Sequence, residues 1–138
     1  MNVFLDSSAL AKRYVQEPGS TEVDKILQDA SAVGVAIICV PEVVSALSRL
    51  RRERKLTAAQ FQQARRALFE EVADCSVIQI SDAVVRRAVD LLAKHPLRAA
   101  DAMHVAAAAE WRADLFVSAD ARQCTAARSA GLKVRQLI

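Results

Sequence analysis

Asp101 and His104 stand on AADAMHVAAAAEW, residues 99–111, a stretch that is otherwise mostly alanine. A carboxylate and an imidazole three apart share one face of a helix. The pair is therefore open to three readings: part of a metal site, a capping arrangement or a local hydrogen bond. Three further acids extend the first reading. Asp6 ends the apolar run VFL, Glu42 lies two residues past VAIICV, and Asp120 lies two residues past LFVS. If those runs are strands of one parallel sheet, ligands collect outside their carboxyl ends, and the first turn of the helix carrying Asp101 can reach the same edge.

Carboxylates packed together raise one another's pKa and are costly unless a cation neutralises them. The natural cation for an oxygen-only set is Mg²⁺ or Mn²⁺, which accept carboxylates and retained waters; zinc would want His or Cys at short spacings. An ion held this way acidifies a bound water, orients it for in-line attack on a phosphodiester and stabilises the leaving oxygen. Each acid also has a structural explanation on its own. Asp6 and Asp120 suit helix N-caps, and Glu42 and Asp101 suit a helix dipole, worth about 0.3–1 kcal/mol each. The conjunction of the four favours the metal. Ser7, Ser8 and Ser118 lie beside the acids and either orient them, hold waters or cap helices.

Other chemistries lack their residues. The chain has no Walker loop, GxGxxG, HExxH or GxSxG pattern. A phosphoacceptor receiver domain would want paired acids after the first strand, where Ser7 and Ser8 follow Asp6 instead. Cys39, Cys75 and Cys124 are scattered without CxxC spacing and read as small buried hydrophobes. His95 and His104 offer a metal-free acid/base alternative on RNA, but His95 precedes Pro96 at a helix end and His104 reads as a satisfied, half-buried histidine that packs or hydrogen-bonds.

The elements that must place these groups alternate. VFL is a short buried strand, and SALAKRYVQEP has helical spacing closed by Pro18-Gly19. Ser20 and Thr21 suit the cap of a helix toward Ala30; Gly34 opens the strand VAIICV, which stops at Pro41; EVVSALSRLRRERK follows as a helix. Thr57 to Gln60 is a capping-box pattern for a long helix to about Asp74. SVIQI is a strand, Ser81 caps a helix toward His95, the alanine-rich helix spans about Arg98 to Arg112, and LFVS is a strand. Asp120 starts a helix that Gly131 ends, and LKVRQLI supplies the last strand. Strands alternating with helices predict an α/β three-layer sandwich with a central, mainly parallel sheet.

The chain of 138 residues suits one domain, 1–138. Its 53% hydrophobic and 25% charged residues, with only three Gly and three Pro, exclude disorder and a disulfide scaffold. The longest uncharged run, residues 30–41, is shorter than the roughly 20 apolar residues a membrane span needs, and MNVFLD lacks signal-peptide character. A cytoplasmic protein without membrane contact is expected. The net charge is +3, and its basic residues concentrate in RLRRERK, residues 49–55, which is either a solvated helix end or a contact for nucleic acid or an acidic partner.

FLDSSALAKRYVQEPGS, PEVVSALSRLRR, LRAADAMHVAAA and LFVSAD, in that order, resemble the PIN-domain ribonucleases, specifically the VapC-like toxins of type II toxin–antitoxin modules. The resemblance covers essentially the whole chain. It implies a PIN-like fold and Mg²⁺- or Mn²⁺-dependent endonucleolytic RNA cleavage. Asp6, Glu42, Asp101 and Asp120 match the family's metal-binding acids, with Asp120 acting directly or through water, while His104 matches a position not counted among the ligands. It also implies a homodimer and a cognate VapB-like antitoxin. A catalytically inactive RNA- or protein-binding module, or a PIN nuclease of RNA or DNA processing that is not a toxin, are the alternatives.

Overall fold

The computed structural model describes residues 1–138. Five strands form one sheet: β1 Asn2–Leu5, β2 Ala32–Ala36, β3 Ser76–Ile78, β4 Leu115–Ser118 and β5 Val134–Gln136. Their order is β3-β2-β1-β4-β5, and every neighbouring pair is parallel. The helices are α1 Ser7–Ala11, α2 Ser20–Gln28, α3 Cys39–Arg52, α4 Ala58–Ala73, α5 Asp82–Lys94, α6 Ala99–Trp111 and α7 Ala121–Ser129.

Alternation along the central strands divides the core in two. Val3, Leu5 and Val117 face one side with residues of α1 to α4, including Leu10, Val43, Leu47 and Leu68. Phe4 and Phe116 face the other with α5, α6 and α7, their rings stacked at 5.9 Å between centroids. The result is the expected helix–sheet–helix sandwich. Within it α6 is buried on most of its circumference, at Asp101, Ala102 and His104 to Ala108. Alanine suits such a position because it lets helix and sheet approach closely. The approach is close at Gly34, where a Cβ would meet the Trp111 ring at 2.8 Å. Gly34→Ala is therefore expected to destabilise the protein by about 1–3 kcal/mol through overpacking, read as a lower urea midpoint. An unchanged midpoint would show that the ring yields freely.

Several boundaries differ from the sequence expectation. The helix expected over residues 8–18 stops at Ala11. Beyond it Lys12, Arg13 and Tyr14 donate to carbonyls three residues back, a tighter winding that ends the α-helix. Lys12 then turns inward, its Nζ bonding the Pro18 carbonyl at 2.7 Å and Glu17 at 3.2 Å. Arg13 and Tyr14 reach across to α4, where both bond Glu71. Ser20 and Thr21 do not cap α2, whose N-cap is Gly19 at φ 93°. Ser20 is used by the preceding loop, accepting from Glu17 N and donating to the Val15 carbonyl.

The strand expected to run to Val40 ends at Ala36, and α3 begins at Cys39. Pro41 falls inside its first turn, where a missing N–H is harmless because those donors have no intrahelical partner. At its other end α3 stops at Arg52 rather than continuing to Lys55, with Arg54 in the left-handed region at φ 60°. The strands expected over 76–80 and 132–138 are each shorter at three residues. The capping box of α4 is formed as expected, Gln60 N to Thr57 Oγ1 at 3.1 Å and Thr57 N to Gln60 Oε1 at 2.9 Å. Cys39 and Cys124 are buried, whereas Cys75 is only half-buried.

Candidate active site

The order of the sheet reverses at β1: the chain moves outward to β2 and β3, then returns to place β4 on the other side of β1. Such a reversal opens a crevice beyond the carboxyl ends of the two strands. Asp6, directly after β1, lies at its floor and is fully buried. It caps α1, its Oδ1 accepting from Ala9 N at 2.9 Å. Ser118, the last residue of β4, donates to Oδ2 at 2.6 Å, and Ser8 Oγ lies 2.8 and 2.9 Å from the two oxygens. Ser8 in turn accepts from Ala119 N at 3.0 Å, and Ser118 from Asp120 N at 2.9 Å. Two serines thus lace the start of α1 to the end of β4. Burial raises the Asp6 pKa despite these donors and the neighbouring His104.

Glu42 belongs to the first turn of α3, well beyond the end of β2, and approaches the crevice from the helix rather than from a strand end. Its Oε1 accepts from Ser7 Oγ at 2.7 Å and lies 2.5 Å from His104 Nε2. Burial would raise the Glu42 pKa, but the hydrogen bonds to His104 and Ser7 outweigh it and lower the value. Burial pushes the nearby Cys39 thiol up to about 12, with Asp6 and Glu42 adding to the rise.

Asp101, in the first turn of α6, is 7% exposed. Gln123 on α7 donates to its Oδ1 at 3.1 Å, and Arg98 Nε donates to its Oδ2 at 3.2 Å. Asp120 caps α7, its Oδ1 accepting from Arg122 N at 2.8 Å and Gln123 N at 3.1 Å. Its capping role is therefore present whatever else it does. Arg98 ties three of the acids into one electrostatic neighbourhood. Its guanidinium is held charged first by Asp101, then by Asp120 and Glu42. The Arg98 side chain is 85% exposed, so its ion pair contributes little to stability.

Two adjoining hollows meet at Arg98. One, of about 590 Å³, is lined by Ser7, Ser8, Glu42 and Arg49; the other, of about 720 Å³, by Asp101, Asp120 and Arg122. Glu42, Asp101 and Asp120 border this region, whereas the buried Asp6 lines neither hollow; the four do not all converge on one point, and no group of three or more His, Cys, Asp or Glu side chains is arranged to hold a metal ion. The donor chemistry still fits a hard ion. The acids and the serines beside them offer carboxylate and hydroxyl oxygens, and Mg²⁺ typically binds through one or two carboxylates while retaining several waters. The metal-free histidine alternative fits poorly, because His104 is 1% exposed beneath Glu42 and does not present its ring to a substrate.

The orienting role considered for Ser7, Ser8 and Ser118 is the one their hydroxyls perform, on Glu42 and Asp6. Gln123 and Arg98 were not singled out in the sequence. Gln123 stands three residues after Asp120 in the first turn of α7, a spacing that puts its side chain beside that acid, and this was the available signal.

A family model described as the PIN domain matches residues 3–129. The chain is 31% identical over 134 residues to "Ribonuclease VapC45" of Mycobacterium tuberculosis, covering 96% of this chain and 93% of that protein. Among solved structures, VapBC2 from Rickettsia felis, bound to a DNA fragment from its promoter, matches with a TM-score of 0.70 at 12% identity, over 100% of each chain. FitAcB from Neisseria gonorrhoeae matches with a TM-score of 0.71 at 14% identity, over 96% of this chain and 95% of that one. At these identities the structural likeness speaks to the fold, while the family match and the Mycobacterium relative speak to descent. On these grounds the chain belongs to the PIN-domain family, in its VapC-like branch.

Proposed function

We propose that this protein is a metal-dependent endoribonuclease and the toxin of a VapBC-type toxin–antitoxin pair. The observation that carries the reading is the grouping of Asp6, Glu42, Asp101 and Asp120 around the β1–β4 crevice, each fixed by its own hydrogen-bond donors. It is supported by a relative named ribonuclease at 31% identity. Mg²⁺, or Mn²⁺ in its place, supplies a water acidic enough to attack a phosphodiester at neutral pH. Asp6 and Asp101 are its firmest ligands, with Glu42 beside them and Asp120 acting directly or through a water.

The remaining residues bind RNA and hold the acids. Arg98, between the two hollows, and Arg49, on the rim of the first, lie where a phosphate backbone would enter. The exposed cations Arg51, Arg52, Arg54 and Lys55 continue that surface and favour a polyanion through counterion release. The protein acts in the cytoplasm, where a VapB-like antitoxin covers the crevice; the VapBC complexes among its structural neighbours support that partner. It works as a homodimer, for which the exposed apolar residues Val85, Val89 and Leu92 of α5 offer a face. No helix is long and apolar enough to cross a membrane.

The test is RNA cleavage by the purified protein in Mg²⁺ or Mn²⁺ and in EDTA. Cleavage is expected with either ion and none in EDTA. Cleavage that persists in EDTA, or RNA binding without cleavage in any divalent ion, would contradict the proposal.

A further inference from the structure

We propose that His104 is the positioning residue for Glu42: its buried imidazole, with Ser7, pins one carboxylate oxygen and leaves the other to meet the ion. This inference rests on the metal-nuclease reading above. His104 Nε2 and Ser7 Oγ both address Oε1, at 2.5 and 2.7 Å, and they lie 3.2 Å from each other. With both hydrogen bonds on one oxygen, Oε2 is the one available for a further ligand.

The histidine is not explained by packing. It is 1% exposed on the alanine-rich helix α6, and its Nδ1 is buried without a hydrogen-bond partner. A leucine or phenylalanine there would fill the same space without an orphaned polar atom. What the imidazole adds is the bond from Nε2 to the site. That bond also joins the two helical layers: the core residues of α3 lie on one face of the sheet and those of α6 on the other. One rigid helix therefore presents Asp101 directly and fixes Glu42 at a distance, which sets the spacing between two acids on different layers. Metal sites depend on such outer partners, whose loss typically weakens binding about 10- to 100-fold.

The experiment measures Mn²⁺ affinity without RNA, from the electron paramagnetic resonance signal of the free ion, alongside RNA cleavage. His104→Gln keeps an N–H donor at the reach of Nε2, whereas His104→Asn and His104→Leu do not. Expected are near-wild-type affinity and cleavage for His104→Gln, and about 10- to 100-fold weaker Mn²⁺ binding for His104→Asn and His104→Leu. In a Glu42→Gln background, His104→Leu should bring no further loss, because the two residues act as one unit. Equal affinity in all three single variants, or an undiminished second loss in the Glu42→Gln background, overturns the proposal. Should His104→Leu fail to fold, the Gln and Asn variants decide the matter. Failure of the underlying reading looks different: the wild-type protein itself would bind no Mn²⁺.

Discussion

Asp6→Asn is expected to reduce RNA cleavage by more than about 100-fold, beyond the usual cost of losing a mere outer partner of a metal, while leaving the fold intact. Asn keeps the size of Asp and is itself a good N-cap, so its amide oxygen can still accept from Ala9 N. The hydroxyls of Ser8 and Ser118 can rotate to suit a neutral amide. What the substitution removes is the charge. Burial raises the Asp6 pKa, meaning that the folded state disfavours the carboxylate more than the unfolded chain does. Such a group withdraws stability as pH rises above its unfolded pKa. At neutral pH the neutral variant should therefore melt at the same temperature as wild type or higher. A variant that cleaves RNA normally contradicts the assignment, and one that melts much lower shows that the Asp6 carboxylate, with its Ser8 and Ser118 donors, stabilises the fold rather than straining it.

Phe4→Ala carries the largest expected effect on stability, a loss of about 3–5 kcal/mol. Phe4 is fully buried in the central strand, stacked on Phe116 at 5.9 Å and tilted against Trp111 at 6.4 Å. Phe116 cannot collapse easily into the space, since it is fixed by the pairing of β4 with β1 at this same residue. A melting temperature lower by roughly 3 °C per kcal/mol follows for a chain of this size. A fall of only a degree or two would mean that α6 closes the gap. The strand that Phe4 anchors is also the one that ends at Asp6, so residual activity should fall steeply near the variant's own transition.

The sheet was legible from short, continuous apolar runs such as VFL, as expected of strands covered on both faces, which the split of Phe4 from Val3 and Leu5 between two cores bears out. Strand cores and well-capped helices were readable because their signals are local: Ser81 and the Thr57 capping box mark their helices in the structure as in the sequence. The short α1 was not readable. Its termination depends on Lys12 folding back to Pro18 and on Glu71, far along the chain, drawing Arg13 and Tyr14 away. The start of α3 was obscured because Ile37 to Val40 has strand-like composition, and the apolar run hid a turn.

The candidate site was legible in part for a similar reason. A carboxylate at a strand end or in a helix's first turn announces its edge, which placed Asp6, Glu42, Asp101 and Asp120. The partners that hold the acids come from other elements: Gln123 from α7 for Asp101, and His104 from α6 for Glu42. No spacing rule within a single element reveals a hydrogen bond between two helices on opposite faces of a sheet. The i, i+3 relation of Asp101 and His104 puts both on α6, yet each serves a different group.

The central claim is that a metal-activated water, held by these acids, cuts the RNA backbone. Mapping the ends of the cleaved RNA tests it most directly, because the nucleophile determines which oxygen stays with phosphorus. Attack by a water activated in the β1–β4 crevice leaves a 5′-phosphate and a 3′-hydroxyl, and that is the predicted product. A 5′-hydroxyl with a cyclic 2′,3′-phosphate would instead mark attack by the substrate's own 2′-hydroxyl, and would contradict the account.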